Sequence, residues 1–352
     1  MTLVRERRHQ QGLRLSPPPP PVSATADFTH RSLFPALSPA SSPDSPAIIE
    51  SLSDLEKVEV LGHGDGGTVY KVRHKKSSCI YALKVLRFDN NAATGILQQV
   101  AREAEILKLV DSPYVIRCHG VFDSGAFMSP DHSNNEGGGD LCFVMEYMEG
   151  GSLHDVLRAR QRLPEQLISR VAKCVLQGLR YLHAMQIVHR DIKPSNLLIN
   201  GRGEIKIADF GVSHMVAGAD EACDLHMGTY AYMSPERFDP ERWGGRNADG
   251  FAGDVWSLGL VVLQCYVGRF PLIGPGQKPD WPTLMCVICF GDQRLEMPET
   301  ASPEFRSFIW RCLEKDWRKR AKVDELLDHP FVNKTCCAST DQELVNFVFP
   351  VD

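Results

Sequence analysis

Apolar and polar positions alternate along the chain with two different periods, one typical of strands and one typical of helices. From "SDLEKVEVLG" onward, apolar residues recur at every second position in "EKVEVLG", "GTVYKVRH" and "IYALKVLRF", as they do in strands with one buried face. Residues 97–110 instead carry apolar residues at helical spacing, and most of the chain after Gly151 does the same. The pattern therefore predicts a small antiparallel sheet followed by a mainly helical region.

Three segments lie outside this pattern. Residues 1–50 are rich in Pro and Ser and include "PPPPP" at 17–21, so they lack the apolar residues of a core and are predicted to be a disordered tail. Residues 124–140, "SGAFMSPDHSNNEGGGD", are polar and Gly-rich and predict a flexible surface insertion between two strands. Residues 332–352 form a C-terminal tail whose sequence indicates no structure or role.

Charge and cysteine usage exclude several classes of function. The formal net charge of -5 and the pI near 6.2 provide no basic field for nucleic acid, and the longest apolar run, 255–268, is too short to cross a bilayer. Eleven cysteines without a disulfide framework or secretory signal indicate reduced thiols in the cytoplasm and nucleus. Cys286 and Cys289 form a C-x-x-C, but their apolar surroundings favour core packing over zinc or redox chemistry.

A glycine-rich stretch, "LGHGDGGTVYKV", begins the strand region. Gly62, Gly64, Gly67 and Val69 follow the spacing G-x-G-x-x-G-x-V, and such glycines let a hairpin backbone approach nucleotide phosphates without Cβ clashes. Alone the motif is weak, because glycine-rich hairpins also occur as plain tight turns. The candidate nucleotide-binding residues of this region are Leu61, Gly62, His63, Gly64, Asp65, Gly66, Gly67, Thr68, Val69 and, on a later strand, Ala82.

Charged residues further along the chain support nucleotide binding at this hairpin. Lys84 in "YALKVL" can reach the α- and β-phosphates of a nucleotide, and Glu103 in "REAEIL" can hold its ammonium group. The alternative for these two residues is a surface lysine and a solvated helix face. "IVHRDIKPSNLLI" then presents Asp191, Lys193 and Asn196, and "IKIADFG" presents Asp209. Chance is very unlikely to place the glycine-rich hairpin and all of these charged residues in this order, so together they are a specific signature.

With these motifs the chain resembles the eukaryotic protein kinases over about residues 55–331. The resemblance implies an α+β fold of two lobes, a small mainly β N-lobe at 54–148 and a larger mainly α C-lobe at 149–331. It also implies that ATP binds in the cleft between the lobes, with the hinge at Glu146 and Met148.

The resemblance also implies a role for each charged residue. Asp209 and Asn196 would bind Mg²⁺, and Lys84, held by Glu103, would bind the phosphates. Asp191 would orient the substrate hydroxyl and accept its proton, while Lys193 would neutralise charge on the transferred group. The expected structural residues are Glu236 and Arg320 as a buried ion pair and Asp254 as an anchor of the catalytic loop.

Other stretches are similar to the mitogen-activated protein (MAP) kinase kinases, and most of all to a plant subgroup, the group D enzymes. They are "GTYAYMSPERF", "DSPYVIRCHG", "VGRFPL" and "KPDWPTLMCVICFGD". This resemblance implies a dual-specificity kinase that phosphorylates the Thr and Tyr of a T-x-Y loop in a downstream MAP kinase. An upstream MAP kinase kinase kinase is the second candidate partner.

The N-terminal tail carries a candidate docking motif. Basic residues precede two leucines, a layout in which cations meet an acidic patch and leucines enter apolar pockets of the target kinase. Its residues are Arg5, Arg7, Arg8, Leu13 and Leu15. Two alternatives remain, an ordinary basic tail and an organelle transit peptide.

The activation segment departs from the family. Relatives of this kind carry two phosphorylated Ser/Thr residues at the positions taken here by Ala219 and Leu225, and neither side chain can accept phosphate. Three hypotheses follow: an active dual-specificity kinase with non-standard activation, a weakly active kinase-fold adaptor that binds a MAP kinase, or a Ser/Thr kinase with unrelated substrates. The intact nucleotide and metal residues favour the first.

Overall fold

The computed structural model describes residues 49–64, 67–87, 94–123, 140–211, 214–215, 230–245, 248, 250–274, 280–291, 297–333 and 338–349. Its first part is one antiparallel sheet in the order β1-β2-β3-β5-β4. The strands are β1 (Leu55–Gly64), β2 (Gly67–His74), β3 (Ile80–Arg87), β4 (Cys118–Asp123) and β5 (Asp140–Glu146), and α1 (Thr94–Leu109) connects β3 to β4. The alternating positions of the sequence therefore form a sheet, as predicted.

The outer face of the sheet has its own small core. Val72, Leu83 and Val144 are fully buried there, and Ile49 and Leu52 pack into the same cluster. Leu52 begins a short 3₁₀ turn, Leu52–Asp54, which Ser51 caps by accepting a hydrogen bond from the Ser53 amide at 3.2 Å. The sequence prediction began this lobe at residue 54, whereas its packing starts at Ile49.

The second part of the chain is mainly helical, with two short pairs of strands among its described residues. Its helices are α2 (Leu153–Arg160), α3 (Glu165–Ala184), α4 (Pro235–Phe238), α5 (Pro240–Trp243), α6 (Phe251–Val267), α7 (Trp281–Met285), α8 (Pro303–Cys312), α9 (Val323–Leu327), α10 (Pro330–Asn333) and α11 (Ala338–Val348). The short strands are β6 (Ile187–Val188), which pairs with β9 (His214–Met215), and β7 (Leu197–Ile199), which pairs with β8 (Ile205–Ile207). This arrangement confirms the predicted α+β fold with a mainly β and a mainly α lobe.

Two helices form the centre of the larger lobe. In α3, apolar residues at helical spacing, among them Ile168, Val171 and Leu179, are fully buried. α6 is apolar on nearly all sides, as expected for a helix enclosed by others, and its one charged residue, Asp254, is also buried. No helix among the described residues is long and apolar enough to span a membrane.

The C-terminal tail, for which the sequence indicated no structure, ends in α11 on the surface of α3. Leu344 of α11 is fully buried, and Asp341 lies 2.6 Å from the Nε of Arg170 on α3. Arg160 at the end of α2 donates from Nε to the Phe347 carbonyl at 3.1 Å. Residues 338–349 are therefore part of the packed lobe.

A buried ion pair joins α4 to the segment before α9. Arg320 Nη1 and Nη2 lie 2.6 and 2.9 Å from the two carboxylate oxygens of Glu236, and both side chains are almost completely buried. Arg320 also donates to the carbonyls of Ala252 and Glu314, both at 2.8 Å. The structure thus confirms the predicted pair, and it shows that the guanidinium also satisfies buried carbonyl groups.

We predict that Arg320→Met lowers the free energy of unfolding by about 3–5 kcal/mol, because it leaves the Glu236 carboxylate buried without its partner. Denaturant unfolding of the purified protein measures this change. The double variant Glu236→Gln/Arg320→Met should regain part of the loss, since no charge is stranded.

The exposed pair Arg311 and Glu325, separated by 2.5 Å in the same lobe, provides the control for this prediction. Arg311→Met should cost less than about 1 kcal/mol, because water screens an exposed pair. Equal losses for Arg320→Met and Arg311→Met would contradict the prediction.

Candidate functional site

Lys84 lies at the centre of the cleft between the lobes. β3 holds it opposite Val69 of β2 and Phe143 of β5, and its side chain is only 10% exposed. Its Nζ lies 2.8 Å from Glu103 Oε1 on α1 and 3.0 Å from Asp209 Oδ1 after β8. The sheet, α1 and the C-lobe thus meet at one ammonium group, and three of the predicted site residues are in direct contact.

The charges of this cluster stabilise one another. Burial alone would lower the pKa of Lys84, but the carboxylates of Asp209 and Glu103 more than offset it, and the pKa is raised. The Lys84 ammonium in turn lowers the pKa of Asp209 to about 2. Lys84 and Asp209 are therefore both charged at neutral pH.

The predicted catalytic loop forms a second cluster. Asp191 Oδ2 lies 2.7 Å from Lys193 Nζ and 2.9 Å from Asn196 Nδ2, and Asn196 Nδ2 also donates to the Asp191 carbonyl at 2.9 Å. The other carboxylate oxygen, Oδ1, is buried and has no hydrogen-bond partner among the described residues. Burial raises the pKa of Asp191, and Lys193 opposes this. One oxygen is thus held in place, and the other remains free to accept a hydrogen bond.

Asp254 of α6 holds the backbone of this loop, as predicted. Its two carboxylate oxygens accept hydrogen bonds from the amides of His189 and Arg190, at 2.9 and 2.8 Å. Arg190 has a φ of +67° and Asp209 has the same value, a conformation that costs non-glycine residues free energy. The hydrogen bonds that these amides donate to the buried Asp254 carboxylate stabilise the strained backbone beside Asp191.

The glycine-rich hairpin contains two glycines with different roles. Gly67 has a φ of +101°, and a Cβ there would lie 2.1 Å from the Val85 carbonyl oxygen, so the fold itself requires a glycine. A Cβ on Gly62 would meet no atom within 4 Å. Gly62 lies directly opposite Val69, which lies opposite Lys84, and residues opposite one another point to the same face of a sheet. Gly62 therefore leaves open space on the face that carries Lys84.

The remaining hairpin residues lie on the same two strands. His63 pairs with Thr68, and His63 Nδ1 is 3.1 Å from Thr68 Oγ1. Leu61 is 43% exposed at the end of the sheet, and Gly64 pairs with Gly67. Asp65 and Gly66 lie outside the described residues.

The hinge residues follow β5. Ala82 on β3 is buried and pairs with Met145 on β5, and Met148 is buried beyond it. The Glu146 carboxylate contacts Lys206 Nζ with both oxygens at 2.8 Å and accepts a hydrogen bond from the Arg117 amide at 2.7 Å. Since its side chain is fully engaged, Glu146 could offer a nucleotide only its backbone.

Lys206 is not among the residues predicted for the site, although the sequence around it carries a signal. Lys206 stands between Ile205 and Ile207 on β8, and all three residues are buried. A lysine inside an otherwise apolar buried strand needs a partner, because burying an unpaired charge is costly. Its partner lies 60 residues away in sequence.

The arrangement fits the nucleotide and the divalent metal that the resemblance implies. Gly62 leaves open space on the face of the sheet that carries Lys84, and Asp191 Oδ1 has no hydrogen-bond partner among the described residues. No group of three or more His, Cys, Asp or Glu residues that could hold a metal occurs within the described parts of the chain. Asp209 and Asn196 can each offer a side-chain oxygen, and a Mg²⁺ held by them would take its other ligands from phosphate oxygens and water, as Mg²⁺ sites commonly do.

Two predicted features fall outside the described residues. One is the docking motif of Arg5, Arg7, Arg8, Leu13 and Leu15. The other is the pair of altered loop positions, Ala219 and Leu225.

Comparison with known proteins agrees with this geometry. Residues 55–332 match the protein kinase domain. Mitogen-activated protein kinase kinase 10 of Arabidopsis thaliana is 53% identical over 332 residues, which cover 94% of this chain and 99% of the relative. Mitogen-activated protein kinase kinases 9 and 7 of the same plant are 48% and 46% identical, each over 95% of this chain and over 99% and 100% of the relatives. The chain is a protein kinase and belongs to the plant mitogen-activated protein kinase kinase family.

Proposed function

We propose that this kinase transfers the γ-phosphate of ATP to both the Thr and the Tyr of a T-x-Y activation loop in a downstream MAP kinase. The observation that carries the proposal is the assembled cleft, in which Lys84 contacts both Glu103 and Asp209. The names of the relatives support the class of substrate. A kinase of the preceding tier of the cascade is the proposed upstream partner.

The nucleotide would lie between the hairpin and the hinge. The proposed contacts are the open face at Gly62, the backbone at Glu146 and Met148, and Lys84 for the phosphates. Asp209 and Asn196 would hold Mg²⁺, which neutralises phosphate charge when it is bound. We infer ATP with Mg²⁺ from the family and from the oxygen atoms that these two side chains can offer.

Asp191 is proposed as the residue that orients the substrate hydroxyl. Lys193 and Asn196 fix its Oδ2, so the side chain cannot rotate freely, and Oδ1 is left to accept the hydroxyl proton. Lys193 carries a positive charge 2.7 Å from this carboxylate. It can therefore stabilise negative charge that develops next to Asp191.

We also propose that activation does not depend on phosphates at positions 219 and 225. Ala219 and Leu225 have no hydroxyl groups, yet the Lys84 pairs with Glu103 and Asp209 are formed. Transfer in kinases of this fold needs the lysine–glutamate pair in place, together with a metal ion on the aspartate that corresponds to Asp209. The second candidate function, a kinase-fold adaptor for a MAP kinase, is favoured by the same two substitutions.

We further propose that the protein acts in the cytoplasm and nucleus. Its eleven cysteines without a disulfide framework motivate this assignment. A fluorescent fusion of the full chain measures the location, and accumulation in an organelle would support the transit-peptide alternative for the N-terminal tail.

We predict that the purified, unphosphorylated chain phosphorylates both Thr and Tyr of a catalytically inactive MAP kinase in the presence of Mg²⁺ and ATP. Asp191→Asn should lower the rate by about 10²–10⁴-fold, because the amide cannot accept the hydroxyl proton. Phosphopeptide mass spectrometry measures both sites. Asp324→Asn, the same substitution at an exposed position of α9, should leave the rate unchanged.

The adaptor alternative makes the opposite prediction for this assay. Nucleotide and MAP kinase would both bind, but no phosphate would be transferred. Transfer to only one of the two residues would contradict dual specificity.

We predict that Gly62→Ala raises the KM for ATP about tenfold, equivalent to about 1.4 kcal/mol, while the unfolding midpoint stays the same. The new methyl group would fill the space near Lys84 but touch no protein atom. Gly67→Ala is the contrasting variant, and it should lower the free energy of unfolding by about 1–3 kcal/mol through backbone strain. Steady-state kinetics and thermal unfolding measure the two effects, and a destabilised Gly62→Ala protein would contradict the assignment.

We predict that deletion of residues 1–15 raises the KM for a MAP kinase about tenfold but leaves the rate on a short generic peptide unchanged. The deletion removes the basic residues and leucines of the docking motif, which would bind the target outside the active site. Replacing the three arginines of the motif by glutamate tests the same residues without shortening the chain, and it should have the same effect as the deletion. Equal loss on both substrates would show that the tail acts on the kinase itself.

A further inference from the structure

A buried ion pair between the hinge and the C-lobe has no part in the proposed phosphate transfer. Lys206 Nζ lies 2.8 Å from both carboxylate oxygens of Glu146. The Lys206 side chain is 10% exposed and the Glu146 side chain 19%. Glu146 is the last residue of β5, and Lys206 is the central residue of β8.

The same carboxylate also binds a third element of the structure. Glu146 Oε1 accepts a hydrogen bond from the Arg117 amide at 2.7 Å, and the Glu146 amide donates to the Arg117 carbonyl at 3.0 Å. Arg117 belongs to the connector between α1 and β4, so the pair links the hinge to the helix that carries Glu103. Three separate segments thus converge on one side chain.

Backbone hydrogen bonds next to Lys206 reinforce this junction. The Ile116 amide donates to the Ile207 carbonyl at 2.8 Å, and the Ile207 amide donates to the Tyr114 carbonyl at 2.9 Å. The connector after α1 is therefore attached to β8 as a short strand would be. Lys206 extends the attachment from β8 to the hinge.

Stability alone does not account for a charged pair at this position. Removing two charges from water costs free energy, and apolar residues of similar volume often stabilise a protein at least as well. The Glu146 carboxylate, however, binds the Lys206 ammonium and the Arg117 amide at the same time, so it fixes the two backbones relative to each other. The pair is therefore better explained by the cleft that the two backbones flank than by its effect on stability.

Both backbones lead directly into the nucleotide cleft. Lys206 precedes Asp209 by three residues along the chain, and Glu146 precedes Met148 by two. Asp209 contacts Lys84 at 3.0 Å on one side of the cleft, and the hinge forms the other side. The distance between these two sides decides how well a nucleotide can contact both at once.

We propose that Lys206 is a positioning residue for nucleotide binding, which acts by holding the Glu146 backbone of the hinge at a fixed distance from Asp209. The inference rests on the proposed function, because it takes the cleft as the nucleotide site. Lys206 itself touches neither the phosphates nor the proposed catalytic groups. Its loss should therefore weaken the binding of the nucleotide more than it slows transfer from bound nucleotide.

The test is nucleotide affinity in the double variant Glu146→Gln/Lys206→Met of the full chain. This variant removes the ion pair without stranding a charge, and the glutamine oxygen can still accept from the Arg117 amide. We expect the double variant to keep an unfolding midpoint close to that of the wild type and to bind fluorescent N-methylanthraniloyl-ATP with Mg²⁺ about fivefold more weakly. Lys206→Met alone should keep a kcat within about twofold of the wild type. Lys206→Arg with Glu146 intact, which keeps the cation and can contact both carboxylate oxygens through its guanidinium, should bind the nucleotide as tightly as the wild type.

The matched control is an ion pair in the turn between β7 and β8. Arg202 and Glu204 form an exposed pair at 2.8 Å, with the Arg202 side chain 75% exposed. Arg202→Met should leave nucleotide affinity and kcat unchanged. If Arg202→Met weakened nucleotide binding as much as the double variant does, the inference would be overturned. The loss of any cation near β8 would then be enough to lower the affinity.

The outcomes separate the inference from the proposed function. Wild-type affinity in the double variant, with a normal unfolding midpoint, overturns the positioning role and leaves phosphate transfer untouched. Lower affinity in the double variant supports the positioning role even if the wild-type chain transfers no phosphate to a MAP kinase, because the readout is binding alone.

Discussion

The ammonium group of Lys84 between two carboxylates is the interaction on which the rest of the cleft depends. Glu103 comes from α1 and Asp209 from the segment after β8, so one buried cation sets the positions of both lobes. A buried charge without partners would be very unfavourable. The sheet, α1 and the C-lobe must therefore approach one another for Lys84 to be stable, and this approach is also what forms the cleft.

In the larger lobe the buried charges that need partners are carboxylates. Asp254 accepts from the backbone before Asp191, and Glu236 accepts from Arg320. In both cases a charge inside the lobe is balanced by several hydrogen bonds, which fixes backbone that has no regular secondary structure. Loops placed in this way can present side chains as accurately as helices or strands do.

The sequence was sufficient for the local features and for the contacts of Lys84 with Glu103 and Asp209. Alternating positions in "GTVYKVRH" correctly predicted β2, and the motif order brought Lys84, Glu103 and Asp209 together as expected. The pair of Glu146 with Lys206 could not be predicted, because neither residue has a local pattern that names its partner. The C-terminal helix was missed for a similar reason: its stability comes from packing on α3, where Leu344 is buried, and from Arg170.

The structure also shows where the chain leaves interactions incomplete. Asp191 has one carboxylate oxygen held by Lys193 and Asn196 and one that is buried without a partner in the part of the chain that the structure describes. Gly62 leaves space on the face of Lys84 that no side chain fills. A buried polar atom without a partner costs stability in a folded protein, and Asp191 Oδ1 is such an atom beside fully satisfied ion pairs. A substrate hydroxyl that donates to this oxygen would remove the deficit, and the exposed face at Gly62 leaves room for the phosphates of a nucleotide, which is the physical reason to assign phosphate transfer to this cleft.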